Sequence, residues 1–320
     1  MTTHRTRSTG PTPLDPAVAE LLAATPAPPA GATARTPAEI RAAFAAVLVP
    51  PADLPEVRSV TDLAVPGPAG ELRVRLYLPE VEGPVPLFVW MHGGGWTLGG
   101  VEENELPNRR VCRDAGVAVA SVEYRLAPEN PFPAAPEDCY AVLTWLARNG
   151  HRHGVDASRI AVGGESAGGN LATVVAMLSR DRGGPRIAAQ VLVCPVTAHP
   201  ADDGLTSYAE CAQGYGMTAD SMRFFFGQYP SSPRDLDDPY LLPSRSKDLT
   251  GLPPALVLTA EYDVLRSEGE QYADRLARAG VPTEYKQYDG QIHGFYGLYT
   301  DLPISPVSHA AVVEFLTGVF

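Results

Sequence analysis

From residue 87 to the C-terminus the hydrophobic pattern switches repeatedly between two periods, and this alternation constrains the fold more than any other feature. The short apolar runs Leu87–Met91, Val117–Tyr124, Arg159–Val162 and Ala188–Cys194 read as strands. Between them Glu103–Ala115, Ala134–Asn149 and Ala167–Arg180 follow helical spacing. After an interruption the rhythm resumes with strand Ala255–Ala260, helix Arg266–Ala279, strand Thr283–Tyr288 and helix Val307–Phe320. Strands alternating with helices require right-handed crossovers, so the reading is α/β: a mostly parallel central sheet with helices on both faces. Leu87–Met91 has no polar position and is expected to be buried on both sides. Ahead of it, Val57–Val65 and Glu71–Leu78 alternate with period two around a Pro-Gly turn at 66–70, which predicts an antiparallel hairpin at the sheet edge.

Two stretches fall outside this rhythm. Residues 1–13 are polar and aperiodic and are expected to be disordered. Asp15-Pro16 then opens a short helix with Leu14, Val18, Leu21 and Leu22 on one face. After a Pro/Ala-rich linker over 26–35, Thr36-Pro37-Ala38-Glu39 forms a capping box for a second helix with Ile40, Phe44, Val47 and Leu48 on one side. The second stretch, 195–253, is irregular apart from one predicted helix, Ala219–Tyr229. An insertion of that size after a parallel strand points to function, because ligands bind at the C-terminal edge of such sheets.

Bulk properties exclude several classes of partner. A formal net charge of −12 argues against nucleic acid. No apolar run approaches the roughly 18 residues of a membrane span. The N-terminus has no apolar stretch of the secretory kind, and Cys112, Cys139, Cys194 and Cys211 are scattered, so free buried thiols and a cytoplasmic location are expected.

Chemistry enters at Gly164-Glu165-Ser166-Ala167-Gly168, a Gly-x-Ser-x-Gly turn between a predicted strand and a predicted helix. Such a turn presents a serine hydroxyl openly, and the helix start favours negative charge beside it. On its own the motif is more often a plain structural turn. His92-Gly93-Gly94-Gly95, directly after strand 87–91, offers backbone N–H groups of the kind that hold an oxyanion, and no Gly-Lys-Ser/Thr ending follows as a phosphate loop would require. Of the seven histidines, His293 lies in a loop just past the last strand and is the candidate base. The acid is expected between serine and histidine at a strand end; Asp263 fits, with Glu261 and Asp289 as competitors. His151-x-His153 reads as a solvated loop rather than a metal site. Glycine loop, serine turn, acid and base follow in that order, which suits acyl transfer without a metal or organic cofactor.

Together these motifs, with Tyr124-Arg125-Leu126-Ala127-Pro128-Glu129, Pro131-Phe132-Pro133-Ala134-Ala135 and Glu137-Asp138, resemble the hormone-sensitive-lipase-like branch of the α/β-hydrolases, the bacterial esterases with a His-Gly-Gly-Gly motif. The resemblance runs from about residue 55 to the end. It implies an α/β-hydrolase core over 51–194 and 254–320, and a two-part cap formed by residues 1–50 and 195–253. It implies Ser166, Asp263 and His293 as a catalytic triad, and Gly94, Gly95 and Ala167 as oxyanion donors. It also implies Asp138 and the Tyr124–Glu129 run as braces beneath the site, and pairing of two copies along Thr283–Tyr288. The expected substrate is a small ester with a short-to-medium acyl or aryl group, met by Trp96, Tyr215, Met217, Phe224, Phe225 and Phe226. A metabolite-specific hydrolase, lactonase or acyltransferase uses the same parts, whereas relatives that serve only as ligand receptors lack the histidine. Two positions depart from the family pattern: Glu165 stands where Asp is frequent, and Val264 where Pro is frequent.

Overall fold

A computed structural model describes residues 12–24, 36–47 and 53–320. Most of the expected disordered segment 1–13, the linker 26–35 and Leu48 lie outside the described residues, as does the side chain of Val47. Among the described residues eight strands form one sheet: β1 (Ser59–Gly67), β2 (Gly70–Leu78), β3 (Val85–Met91), β4 (Ala118–Val122), β5 (Val155–Glu165), β6 (Ala189–Val193), β7 (Ala255–Tyr262) and β8 (Thr283–Ile292). Their order is β1-β2-β4-β3-β5-β6-β7-β8. β1 and β2 pair antiparallel, β2 joins β4 antiparallel, and every other pairing is parallel.

The helices are α1 (Pro16–Ala24), α2 (Pro37–Val47), α3 (Glu105–Ala115), α4 (Ala134–Asn149), α5 (Ala167–Asp181), α6 (Ser207–Glu210), α7 (Ala219–Gln228), α8 (Arg266–Arg278) and α9 (Ser305–Val319). The pleat of β3 shows how the core divides. Leu87, Val89 and Met91 join a core containing Leu143 and Leu146 of α4, Leu171 and Val175 of α5 and Leu276 of α8. Phe88 and Trp90 point the other way, to Val111 and Cys112 of α3 and Val312 and Leu316 of α9. All seven residues of β3 are buried, as expected for a central strand covered on both faces.

Differences from the sequence reading fall at element ends. β1 runs through Pro66 to Gly67, which pairs with Gly70, so the hairpin turns on Pro68 and Ala69 alone. β5 begins at Val155 rather than Arg159, because Val155 pairs with Val85 although Asp156-Ala157-Ser158 carries no apolar alternation. α3 starts at Glu105 and not at Glu103, whose carboxylate instead accepts the N–H of Gly100 in the turn before the helix. The four-residue α6 is too short to leave a periodic trace. Both predicted N-terminal helix starts are realised: Asp15 Oδ1 accepts from Ala17 N at 2.9 Å, and Glu39 Oε2 accepts from Thr36 N at 2.7 Å. All four cysteines are free and buried.

Candidate active site

Ser166 sits in the bend between β5 and α5, with φ 60° and ψ −118°. A side-chain-bearing residue rarely holds positive φ, and the surroundings must enforce it. Here they do so by close packing. A Cβ at Gly164 would lie 2.3 Å from the carbonyl of Gly168, and one at Gly168 would lie 2.0 Å from Met91 O, so the turn is pressed against the end of β3. Ser166 N–H donates to Val193 O at 2.8 Å, which ties the bend to the next strand as well.

Asp263 directly follows β7 and His293 directly follows β8, so both loops reach the same sheet edge as Ser166. His293 Nδ1 lies 2.8 Å from Asp263 Oδ2. A carboxylate only accepts, so Nδ1 carries the hydrogen and Nε2 presents a lone pair. The other oxygen of Asp263 accepts Leu265 N–H at 2.9 Å. Burial pushes the imidazole pKa down, but the charge and hydrogen bond of Asp263, with the charge of Glu165, outweigh it and leave His293 raised. The two competing acids are occupied elsewhere. Glu261 accepts the N–H groups of Thr12 and Gly290, binding the N-terminal segment to the loop before His293. Asp289 is exposed and accepts from Gln287.

Gly94 and Gly95 have φ 108° and 57°. A Cβ at Gly94 would meet Leu98 O at 2.4 Å, and one at Gly95 would overlap the ring of Phe225 at 2.2 Å, so α7 packs directly on the glycine loop. Among the described residues, the N–H groups of Gly94, Gly95 and Ala167 donate to no protein acceptor. Beneath the loop, His92 stacks on Tyr124, with ring centroids 4.1 Å apart, and the Tyr124 hydroxyl donates to His92 O at 2.8 Å. Burial holds His92 neutral, with its pKa down at about 4. Arg125 forks onto the buried Asp138 through Nε and Nη2 at 2.8 and 2.7 Å, which is the bracing expected of that pair.

A cavity of about 120 Å³ brings Ser166, His293 and Gly94 together. Its apolar lining comes from Phe44 on α2, Leu98, Met217, Phe225 on α7 and Leu298. Of the side chains expected to meet a substrate, Met217 and Phe225 line this cavity, whereas Trp96, Tyr215, Phe224 and Phe226 do not. Trp96 is fully buried, stacked on Tyr229 at 4.2 Å with its indole N–H on Asn170, so it props the glycine loop from behind. Tyr215 packs against Tyr262, and Phe224 lies edge-on to Phe225 outside the lining. Phe226 instead borders a second, larger and more open cavity of about 340 Å³ with His199 and Arg223. Phe44 was legible only as one residue of an amphipathic helix face, and Leu98 and Leu298 carried no sequence signal.

Cys194 was not singled out by its sequence context either. Its sulfur joins Asp263 and His293 within 4.8 Å. Burial above all, then the charge of Asp263, pushes the thiol pKa well up. Cys194 packs beside an acid whose two oxygens already accept from His293 and Leu265. No described helix is long and apolar enough to cross a membrane.

This fold, with serine, histidine and acid loops converging on one sheet edge, defines an α/β hydrolase, and residues 88–297 match the family described as the alpha/beta hydrolase fold. Carboxylic ester hydrolase LipN of Mycobacterium tuberculosis is 43% identical over 75% of this chain, a match that spans just under two thirds (65%) of LipN. Esterase LipI of the same organism is 40% identical over 76% of each chain. The solved structure of the hyperthermophilic esterase from the archaeon Pyrobaculum calidifontis superposes with a TM-score of 0.89 at 39% identity, covering 96% of this chain and 99% of that one. The chain belongs to the hormone-sensitive-lipase-like branch of the α/β-hydrolase esterases.

Proposed function

We propose that this esterase hydrolyses short-to-medium acyl or aryl esters through an acyl-enzyme on Ser166. The observation that carries the reading is the His293–Asp263 hydrogen bond at 2.8 Å beside a cavity that also holds Ser166. His293 Nε2 takes the Ser166 proton as the hydroxyl oxygen attacks the ester carbonyl. The free N–H groups of Gly94, Gly95 and Ala167 stabilise the oxyanion of the tetrahedral intermediate. His293 then protonates the departing alkoxide, and water repeats the sequence on the acyl-enzyme, returning Ser166 and releasing the acid. Asp263 orients the ring and stabilises its charged form without taking the proton. The cavity volume of about 120 Å³ supports a compact substrate. We assign residues 36–47 and 195–253 as a cap, because Phe44, Met217 and Phe225 close the cavity from outside the sheet.

Incubation with diethyl 4-nitrophenyl phosphate tests the assignment. Mass spectrometry is expected to find one diethylphosphoryl group per chain, on Ser166, with loss of ester hydrolysis in proportion to labelling. Modification of another residue, with Ser166 unlabelled and activity lost, contradicts it.

A further inference from the structure

Besides its apolar residues and the N–H groups of the glycine loop, the cavity has a wall rich in hydrogen-bond acceptors. Glu103, Glu165 and His92 line it, and no lysine or arginine does. His92 is 1% exposed; its Nδ1 lies 2.7 Å from Gly93 O and must donate there, which leaves Nε2 as an acceptor, and Nε2 has no partner. Glu165 is 6% exposed and its Oε1 is likewise unpartnered. Glu103 holds the Gly100 N–H with Oε2 and forms no ion pair among the described residues. The charges that bear on it are those of Glu102 and Glu123, both of its own sign. Arg73 pairs with both Glu102 and Glu123, and Arg75 with Glu102, and those arginines lie outside the cavity lining. Asn104 is the wall's side-chain donor; its carbonyl accepts from Trp90 Nε1 at 2.8 Å. Burial raises Glu103 to about 7, the behaviour of a carboxyl that lacks a counter-charge and would gain from one.

We propose that this wall, with Glu103 as its accessible carboxylate and His92 and Glu165 behind it, is a specificity subsite for a protonated amine on the ester substrate, and that it disfavours esters bearing a carboxylate. An ammonium brings both the missing positive charge and a hydrogen-bond donor. A carboxylate would add an acceptor and a like charge to a half-buried site, where repulsion is weakly screened. The inference rests on the reading of the Ser166 cavity as the catalytic one.

The test compares isosteric esters that differ only in charge. 2-(Dimethylamino)ethyl butyrate is set against 3-methylbutyl butyrate for the alcohol side, and ethyl 4-(dimethylamino)butanoate against ethyl 5-methylhexanoate for the acyl side. Hydrolysis is followed by titration of released acid, with wild type, Ser166→Ala and Glu103→Gln. In wild type one of the two pairs is expected to favour the amine about tenfold in kcat/KM, the scale of one charge-assisted hydrogen bond. Glu103→Gln is expected to bring that ratio to about one. Ratios at or below one in both wild-type pairs overturn the proposal, as does a preference that survives Glu103→Gln. If Glu103→Gln does not fold, the two wild-type ratios, with monoethyl succinate against ethyl 4-methylpentanoate as the carboxylate pair, decide. Hydrolysis that persists in Ser166→Ala overturns the underlying reading instead, so the two failures are distinguishable.

Discussion

At Ser166 the backbone adopts a conformation that a serine does not choose for itself, and the two flanking glycines are the reason it can. Each lies where a methyl group would enter neighbouring backbone: 2.3 Å from the Gly168 carbonyl for Gly164, 2.0 Å from Met91 O for Gly168. Gly168→Ala must therefore displace β3 or the turn, and it is expected to lower stability by about 2–3 kcal/mol and to reduce activity at least tenfold. Denaturant unfolding alongside a kinetic assay checks both; a stable, fully active variant contradicts the packing argument. His293 works as a base only when neutral, so kcat/KM rises with pH through its pKa, which Asp263 and Glu165 hold above the ordinary imidazole value. Removing the charge of Asp263, or the partial charge of Glu165, whose own pKa burial raises to about 7, lowers that pKa. Glu165→Gln is expected to move the acidic limb of the pH profile to lower pH with the triad intact. Asp263→Asn is expected to do the same and to cut kcat by about 10³–10⁴, since the ring loses the partner that fixes its tautomer. An unmoved or alkaline-shifted limb in Glu165→Gln contradicts the electrostatic assignment. The convergence of Ser166, Asp263 and His293 on one sheet edge was legible in the sequence because each follows a recognisable strand in the right order. The placement of Trp96 was not, because an aromatic beside a glycine loop gives no sign of which side of the loop it faces. Cys194 was not legible either, since its proximity to Asp263 arises across β6 and β7.

At the scale of elements, the sheet core was readable from period and length alone, and strand ends were lost where pairing overrides composition. β5 recruits Asp156-Ala157-Ser158 through its neighbour β3, an effect of register that no single segment encodes. The attachment of α2 is similarly non-local. Arg41 donates from Nε to Thr97 O at 2.7 Å, from Nη2 to Ala127 O at 2.7 Å, and forks onto Glu129 at 2.8 and 2.7 Å. Phe44, on the same helix three residues later, lines the cavity. Arg41 thus sets where the apolar wall stands. Arg41→Ala is expected to raise KM for a butyrate ester about fivefold, equivalent to about 1 kcal/mol, with kcat changed less than twofold. Steady-state kinetics decide; an unchanged KM contradicts the role given to α2. The Arg125–Asp138 pair is a different kind of brace, since Asp138 is fully buried. Asp138→Ala leaves the guanidinium unpaired and is expected to cost about 3 kcal/mol in urea unfolding. A cost below 1 kcal/mol contradicts that.

For the whole molecule, the net charge of −12 and a cavity lined by no described lysine or arginine both disfavour a ligand that carries a carboxylate or phosphate. Among the described residues Thr283–Tyr288 of β8 pairs with β7 alone, which is where the family resemblance places a second copy, while Asp15 N–H reaches the end of the strand at Gly290 O. We propose that pairing for this protein too, and sedimentation velocity at micromolar concentration is expected to show a dimer; a monomer throughout that range contradicts it. The family was legible because it is written in several short motifs in fixed order. The size and polarity of the cavity were not, because they depend on Phe44, Glu103, Met217 and Leu298, which only the fold brings together. The central claim is that Ser166 performs the chemistry on a compact ester. The most direct measurement is hydrolysis of 4-nitrophenyl esters from two-carbon to sixteen-carbon acyl chains by wild type and Ser166→Ala, with folding of both checked by circular dichroism. The expected result is an optimum at short chains in wild type and a loss of at least about 10³-fold in Ser166→Ala. Hydrolysis by a folded Ser166→Ala at wild-type rates would contradict the account.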